Sequence, residues 1–220
     1  MAFDCDGVLV DNISSWGALH KYFKTDNSHM LKKYIEGEIT DDEFMLSDIV
    51  LWKSVQKEIH QDDLFRAYSG IKLMPGAREV VAELKRRGIL VVIISAGVDI
   101  FVSSIASMLK VDDWIANGFK FDEEGWLLDE GILRVGGTGK GILINRILAM
   151  HDIKPENLVS VGDSDIDLSM MVEGSSFIGF NPTRDSSTDA FENAGVPIVT
   201  KKDLREIWPF LYFEEIFPEY

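Results

Sequence analysis

The apolar positions of the chain fall into short blocks separated by longer amphipathic stretches. Five blocks rich in β-branched residues read as strands: 8–10 with the residues before it, 89–94, 158–161, 177–180 and 196–199. Spacing of three and four predicts helices over 98–109, 140–151, 166–173 and 202–211. Pro75 and Gly88 bracket a further helix over 76–87. Strands that alternate with helices predict a parallel sheet covered on both faces, an α/β fold. Two stretches break the alternation. Residues 12–68 carry no strand pattern and show helical patterns at 14–23, 28–36 and 40–58, with Thr40 and Glu43 spaced as a capping box. This stretch reads as a helical insertion after the first strand. Residues 119–135 read as a β-hairpin or ribbon, with Gly125 and Gly131 at its turns. The expected division is a core of 1–11 and 69–220 and a helical cap of 12–68. Only Met1, Ala2 and Phe3 precede Asp4, so either the first strand is short or residues upstream of it are missing from this sequence.

Composition narrows the classes. The 220 residues are 46% apolar and 27% charged, a globular balance that excludes collagen-like, disulfide-scaffold and disordered chains. No apolar run is long enough for a membrane-spanning helix, and the first residues lack the basic start of a signal peptide. Lys and Arg number 22 against 37 Asp and Glu, a net charge of −15. That field repels nucleic-acid phosphates and anionic lipid, so neither nucleic acid nor membrane is an expected partner. An anionic substrate then needs a local device: a metal, a lysine or backbone N–H groups. The single cysteine, Cys5, allows no internal disulfide and points to a reducing compartment, the cytoplasm. The sequon Asn12-Ile13-Ser14, without a secretory signal, reads as coincidental.

The chemistry-bearing residues sit where strands end, the edge at which open α/β sheets bind ligands. The first strand leads into Asp4-Cys5-Asp6-Gly7, and 158–161 leads into Gly162-Asp163-Ser164-Asp165-Ile166-Asp167. Each cluster alone has an ordinary explanation: an acidic corner, or acids favoured by a helix dipole. Two clusters at two strand ends point to a hard cation, and oxygen donors without His or Cys suit Mg²⁺. Strand 89–94 runs into Ser95-Ala96-Gly97, a hydroxyl and freed N–H groups that form an anion cradle. Lys140 lies in Gly136-Gly137-Thr138-Gly139-Lys140-Gly141. A P-loop reading fails there, since Arg134 holds the first glycine position and Gly141 replaces Ser/Thr. Lys140 instead starts a helix and aims a cation at phosphate.

In order and spacing these four pieces resemble the haloacid dehalogenase superfamily of aspartate-nucleophile phosphatases. Asp4 to Val10 is similar to its first motif, Ser95 to the second, Lys140 to the third, and Gly162-Asp163 through Asp167 to the fourth. Within the superfamily the chain is most similar to phosphoserine phosphatases, nearly end to end. The resemblance implies a Rossmann-like parallel-sheet core with a small α-helical cap, and a Mg²⁺-dependent phosphatase acting on a small phosphorylated metabolite. It implies Asp4 as nucleophile and Asp6 as acid and base. It implies Mg²⁺ on Asp4, Asp163 and the Asp6 carbonyl, with Asp167 behind them, and phosphoryl oxygens on Ser95, the Ala96 N–H and Lys140. A monomer or homodimer is expected. A phosphomutase or phosphotransferase, a phospho-ligand-binding protein without turnover, and an acidic receiver module stay open as alternatives.

Three departures touch substrate selection. Where that family carries a glutamate for the substrate amine, the aligned positions are Ile13 and Ser14. Its cap arginine aligns near Asp48, with Lys53 or Arg66 as substitutes if the alignment slips. Ile166 stands in place of an asparagine in the fourth motif. Phosphoserine is therefore not expected to be strongly preferred. Trp16, Phe23, Met45, Ile49 and Trp52 fall on apolar faces and read as cap core, with one or two facing substrate. His20, His29, His60 and His151 show no paired metal spacing and read as surface or cap residues.

Overall fold

A computed structural model describes residues 1–136, 139–213 and 215–218. Seven strands form one sheet: β1 Ala2–Phe3, β2 Val92–Val98, β3 Asp113–Phe121, β4 Leu127–Ile132, β5 Val159–Gly162, β6 Ser176–Phe180 and β7 Ile198–Val199. Their order is β4-β3-β2-β1-β5-β6-β7. Every pair is parallel except β3 with β4, so the expected Rossmann-like parallel sheet holds, with one antiparallel edge. β1 is central. Ala2 and Phe3 pair with Val92 and Ile93 on one side and with Ser160 and Val161 on the other. Successive side chains point to opposite faces. Ala2 joins a cluster with Val92, Ile94, Ile144 and Phe191, while Phe3 joins one with Ile93, Val161, Val81 and Val102. Both faces of the sheet are thus buried.

Four helices lie between β1 and the rest of the sheet: α1 Ser15–Phe23, α2 Ser28–Ile35, α3 Asp41–Val55 and α4 Gln61–Arg66. The capping box at Thr40 and Glu43 is present, with both reciprocal hydrogen bonds formed. Leu19, Phe23, Ile49 and Trp52 of α1 and α3 belong to the same continuous apolar cluster as Phe3. The later helices are α5 Ala77–Arg86, α6 Asp99–Leu109, α7 Lys140–Met150, α8 Asp185–Ala194 and α9 Trp208–Leu211. No helix among the described residues is long and apolar enough to cross a membrane.

Several expectations need correction. Residues 8–10 are not a strand. The N–H groups of Val8, Leu9 and Val10 all point to the Cys5 carbonyl, and Gly7 turns the chain at φ +74°. Their aliphatic side chains serve the core instead, fully buried. The helix predicted at 166–173 is a 3-10 turn, Asp165–Met170, tightened by the reciprocal cap between Ser164 and Asp167. The helix at 202–211 splits into a 3-10 turn, Leu204–Ile207, and α9. Gly125 does turn the ribbon, at φ +90°. Gly131 does not: it lies inside β4, and a Cβ there would come within 2.5 Å of Met45 Cε. Its small size lets α3 pack on the ribbon. α4 and α8 were not predicted. α4 is short and capped by the His60 ring, an unusual N-cap, and α8 is built largely of small and polar residues.

Candidate active site

Four chain segments meet at the carboxyl edge of the central strands. They enclose a cavity of about 190 Å³ whose walls include Asp4, Asp6, Ser95, Lys140, Asp163 and Asp167. Asp4 follows β1 directly, and its N–H donates to the Val161 carbonyl at 2.9 Å, continuing the pairing with β5. Lys140, the first residue of α7, is 2% exposed. Its Nζ donates to Asp4 Oδ1 at 2.7 Å and to Asp167 Oδ1 at 2.5 Å. No described residue donates to Asp4 Oδ2. The helix start can reach this depth because position 141 is glycine; a Cβ there would lie 2.5 Å from the Ser169 carbonyl oxygen. Gly137 and Thr138 of the preceding motif lie outside the described residues.

Asp167 organises the second acidic loop. Its Oδ2 accepts from the N–H groups of Asp163 and Ser164 at 3.1 and 3.0 Å and from Ser164 Oγ at 2.8 Å. Asp4, Asp163 and Asp167 bring carboxylate oxygens within 4.8 Å of one another, a set that can hold a metal ion. Asp6 stands apart from that set. Its Oδ2 accepts from the Ser15 N–H at 2.8 Å and Ser15 Oγ at 2.7 Å, and its Oδ1 accepts from Asn12 at 3.4 Å. These donors come from the loop and first turn that open α1, so the helical insertion fixes the second aspartate.

Four buried carboxylates share one buried ammonium, and the electrostatics follow. Burial pushes the Asp4 carboxyl up to about 7, with the Asp167 and Asp6 charges adding and Lys140 opposing. Burial, then the charges of Asp4 and Asp167, push Asp163 up to about 9. Burial also raises Asp6, against its hydrogen bonds from Ser15 and Asn12. Burial alone would lower Lys140, but Asp167 and Asp4 outweigh it and hold the ammonium well above its ordinary range. An unbalanced negative centre built of oxygen donors fits a hard divalent cation.

Ser95 is not past the end of its strand as expected; β2 continues through it to Val98. The β2–β3 register shifts between Ile94 and Val98, so the Ser95-Ala96-Gly97 segment leaves the ladder and lines the cavity. Ser95 Oγ accepts from the Gly97 N–H at 3.1 Å. The Ala96 carbonyl is held from two sides, by Trp16 Nε1 at 3.0 Å and Asn117 Nδ2 at 3.1 Å. Asn117 also accepts from the N–H groups of Arg134 and Val135, both at 2.8 Å, tying the ribbon to this loop.

Of the residues linked to substrate selection, Ile13, Ser14 and Ile166 line the cavity. Asp48 lines an adjoining one. Lys53 and Arg66 line neither; they pair with Asp129 and Asp63. Thr183, Arg184 and Ser187, from the turn into α8, complete the outer wall. Sequence reasoning missed them, and Ser15 and Asn117 as well, because none sits in a local motif. Of the aromatics on α1 and α3, Trp16 faces the cavity, whereas Phe23 and Trp52 are core.

The profile of haloacid dehalogenase-like hydrolases matches residues 2–172. The chain belongs to the haloacid dehalogenase-like hydrolase family. Among similar members is the phosphoserine phosphatase of Methanocaldococcus jannaschii, 27% identical over 219 residues, with 95% of each chain covered. A substrate-bound phosphoserine phosphatase complex superposes with a TM-score of 0.78 at 25% identity, covering 95% of this chain and 96% of that one. A phospho-aspartyl intermediate analogue of phosphoserine phosphatase gives 0.78 at 26%, with the same coverage. This hydrolase is thus phosphoserine phosphatase-like in sequence and fold.

Proposed function

We propose that this hydrolase cleaves a small phosphomonoester in two steps through an aspartyl-phosphate on Asp4. The observation that supports it best is the convergence of Asp4, Asp6, Lys140 and Asp163 on one cavity from separate chain segments. Asp4 attacks phosphorus, the bond to the alcohol oxygen breaks, and Asp6 gives that oxygen its proton. Water then attacks the same phosphorus, Asp6 takes its proton, and the bond to Asp4 breaks to release phosphate. Splitting the displacement lowers each barrier, and one carboxyl serves as acid and then base. Burial suits Asp6 to this, because a raised carboxyl holds its proton until the alkoxide forms. Ser15 fixes its orientation. Ser95, the Ala96 N–H and Lys140 bind the phosphoryl oxygens.

Asp4, Asp163 and the Asp6 carbonyl would hold Mg²⁺, which supplies the positive charge that lets a phosphate dianion approach these acids. Asp167, engaged by Lys140 and two N–H groups, orients the set from behind. Residues 12–68 act as the cap over a core of 1–11 and 69–220. The test is release of inorganic phosphate from an aryl phosphate with Mg²⁺ and no acceptor alcohol. Asp4→Asn removes the nucleophile and is expected to lose at least about a thousandfold, roughly 4 kcal/mol. A variant that keeps more than about a tenth of the rate overturns the covalent mechanism. Asp6→Asn is expected to keep metal binding and turn over poorly.

A further inference from the structure

Beside the phosphoryl cavity lies a second one of about 150 Å³, and the two share Trp16, Ala96 and Ile166 as walls. Its lining is mostly aromatic and aliphatic: Trp16, Tyr34, Phe44, Met45, Leu133 and Val135. No described lysine or arginine lines it. Its polar exceptions are Asn117, already engaged with the ribbon, and two acids, Asp41 and Asp48. Asp41 accepts from Tyr34 Oη at 2.8 Å. Asp48 is 1% exposed.

The neighbours of Asp48 engage one of its oxygens. Its Oδ1 accepts from Asn27 Nδ2 at 2.6 Å and meets His20 Nε2 at 3.0 Å. His20 Nδ1 in turn lies 2.8 Å from Thr25 Oγ1 and 3.1 Å from Trp52 Nε1, so the ring is held from its far side as well. No described residue donates to Asp48 Oδ2. A buried carboxylate with one open oxygen thus stands in the wall of an aromatic cavity. Aromatic faces attract cations as the carboxylate does, and desolvation strengthens both effects.

We propose that this cavity selects a substrate whose alcohol part carries a positive charge, an ammonium or quaternary ammonium, and no carboxylate. The proposal rests on the phosphatase reading and assigns its substrate class. The bound phosphoryl group would occupy the acidic cavity and the organic cation the aromatic one. A carboxylate on the same alcohol would face Asp48 with no cation to receive it.

The experiment compares kcat/KM for phosphocholine with that for 3,3-dimethylbutyl phosphate, its uncharged isostere, and for phosphoserine. Aryl phosphate serves as the measure of phosphoryl chemistry alone. Phosphocholine is expected to be preferred over both by at least about tenfold. In Asp48→Asn the cation-to-isostere ratio should fall to within about threefold of unity. The ratio within one variant is insensitive to a general loss of folding or catalysis. A wild-type ratio below about tenfold, a preference for phosphoserine, or a ratio retained in Asp48→Asn overturns the proposal. The wild-type comparison decides it even where the variant fails to fold. If aryl phosphate too is left intact, the phosphatase reading fails, and calorimetric binding of phosphocholine against the isostere tests the cavity by itself on the same tenfold criterion.

Discussion

Replacing Lys140 with methionine isolates the electrostatic design of the site. Methionine matches the lysine stem in length and leaves little void, so the perturbation is the loss of one buried ammonium. In the native protein that ammonium lies 2.7 Å from Asp4 Oδ1 and 2.5 Å from Asp167 Oδ1, with 2% of the lysine exposed. Removing one partner of such a buried group leaves uncompensated charge and costs about 3–5 kcal/mol. The cost depends on pH in a definite direction. Asp4 and Asp163 sit at about 7 and 9 in the folded chain, above the ordinary value of 3.8, and losing Lys140 raises them further. A carboxyl raised by folding favours the folded state below its unfolded pKa and loses that contribution as pH climbs through its folded pKa. The deficit of Lys140→Met is therefore largest near about pH 8.5 and smallest near about pH 5, where protonation substitutes for the missing cation. Urea denaturation of the metal-free protein at both pH values, with unchanged m, reads it directly. A loss below about 1 kcal/mol at the higher pH, the size of an exposed ion pair, would refute the reasoning. So would a deficit that is larger at the lower pH. Phosphate release should fall about 10²–10³-fold, as on removing one preorganised donor to a developing oxyanion.

Gly7→Ala places a Cβ 2.3 Å from Asp163 Oδ2 on a backbone at φ +74°, so it should cost about 1–3 kcal/mol in thermal denaturation and weaken Mg²⁺ binding measured by calorimetry. Mg²⁺ should raise the melting temperature more at about pH 8 than at about pH 6, with proton release on binding, because the metal displaces protons that burial keeps on Asp4 and Asp163. An increment that shrinks as pH rises would contradict the assignment.

How much of this was legible in the sequence differs by element. The parallel sheet was readable because β5 and β6 are short runs with apolar β-branched or aromatic residues and α5, α6 and α7 lie between strands with clear periodicity. Residues 8–10 misled because β-branched residues fill a core as readily from a turn as from a strand, and only the backbone shows Gly7 reversing the chain. α8 escaped notice because the sequence DSSTDAFENA places only Ser187 and Phe191 in the interior, too few apolar positions to set a helical period.

The site divides along the same physical line. Asp4, Asp6, Asp163 and Asp167 announce themselves because each pair is close in sequence and follows an apolar run, so strand, edge and charge are all local signals. Lys140 is legible only as part of that constellation, since its two carboxylate partners lie 136 and 27 residues away. Asn117 and Arg184 belong to no motif, and their place at the cavity depends on the sheet order that sets β3 beside β2 and turns the chain after β6 toward Asp163. Asp48 is the clearest case. Its position in the alignment showed that the expected arginine was missing, and so what the site should not bind. What it should bind depends on which of its oxygens stays open, and that is set by Asn27 and His20, 21 and 28 residues away in sequence. The first conclusion needs one aligned residue, whereas the second needs three side chains in contact, which is why local pattern reports the chemistry of phosphate more readily than the identity of the alcohol that carries it.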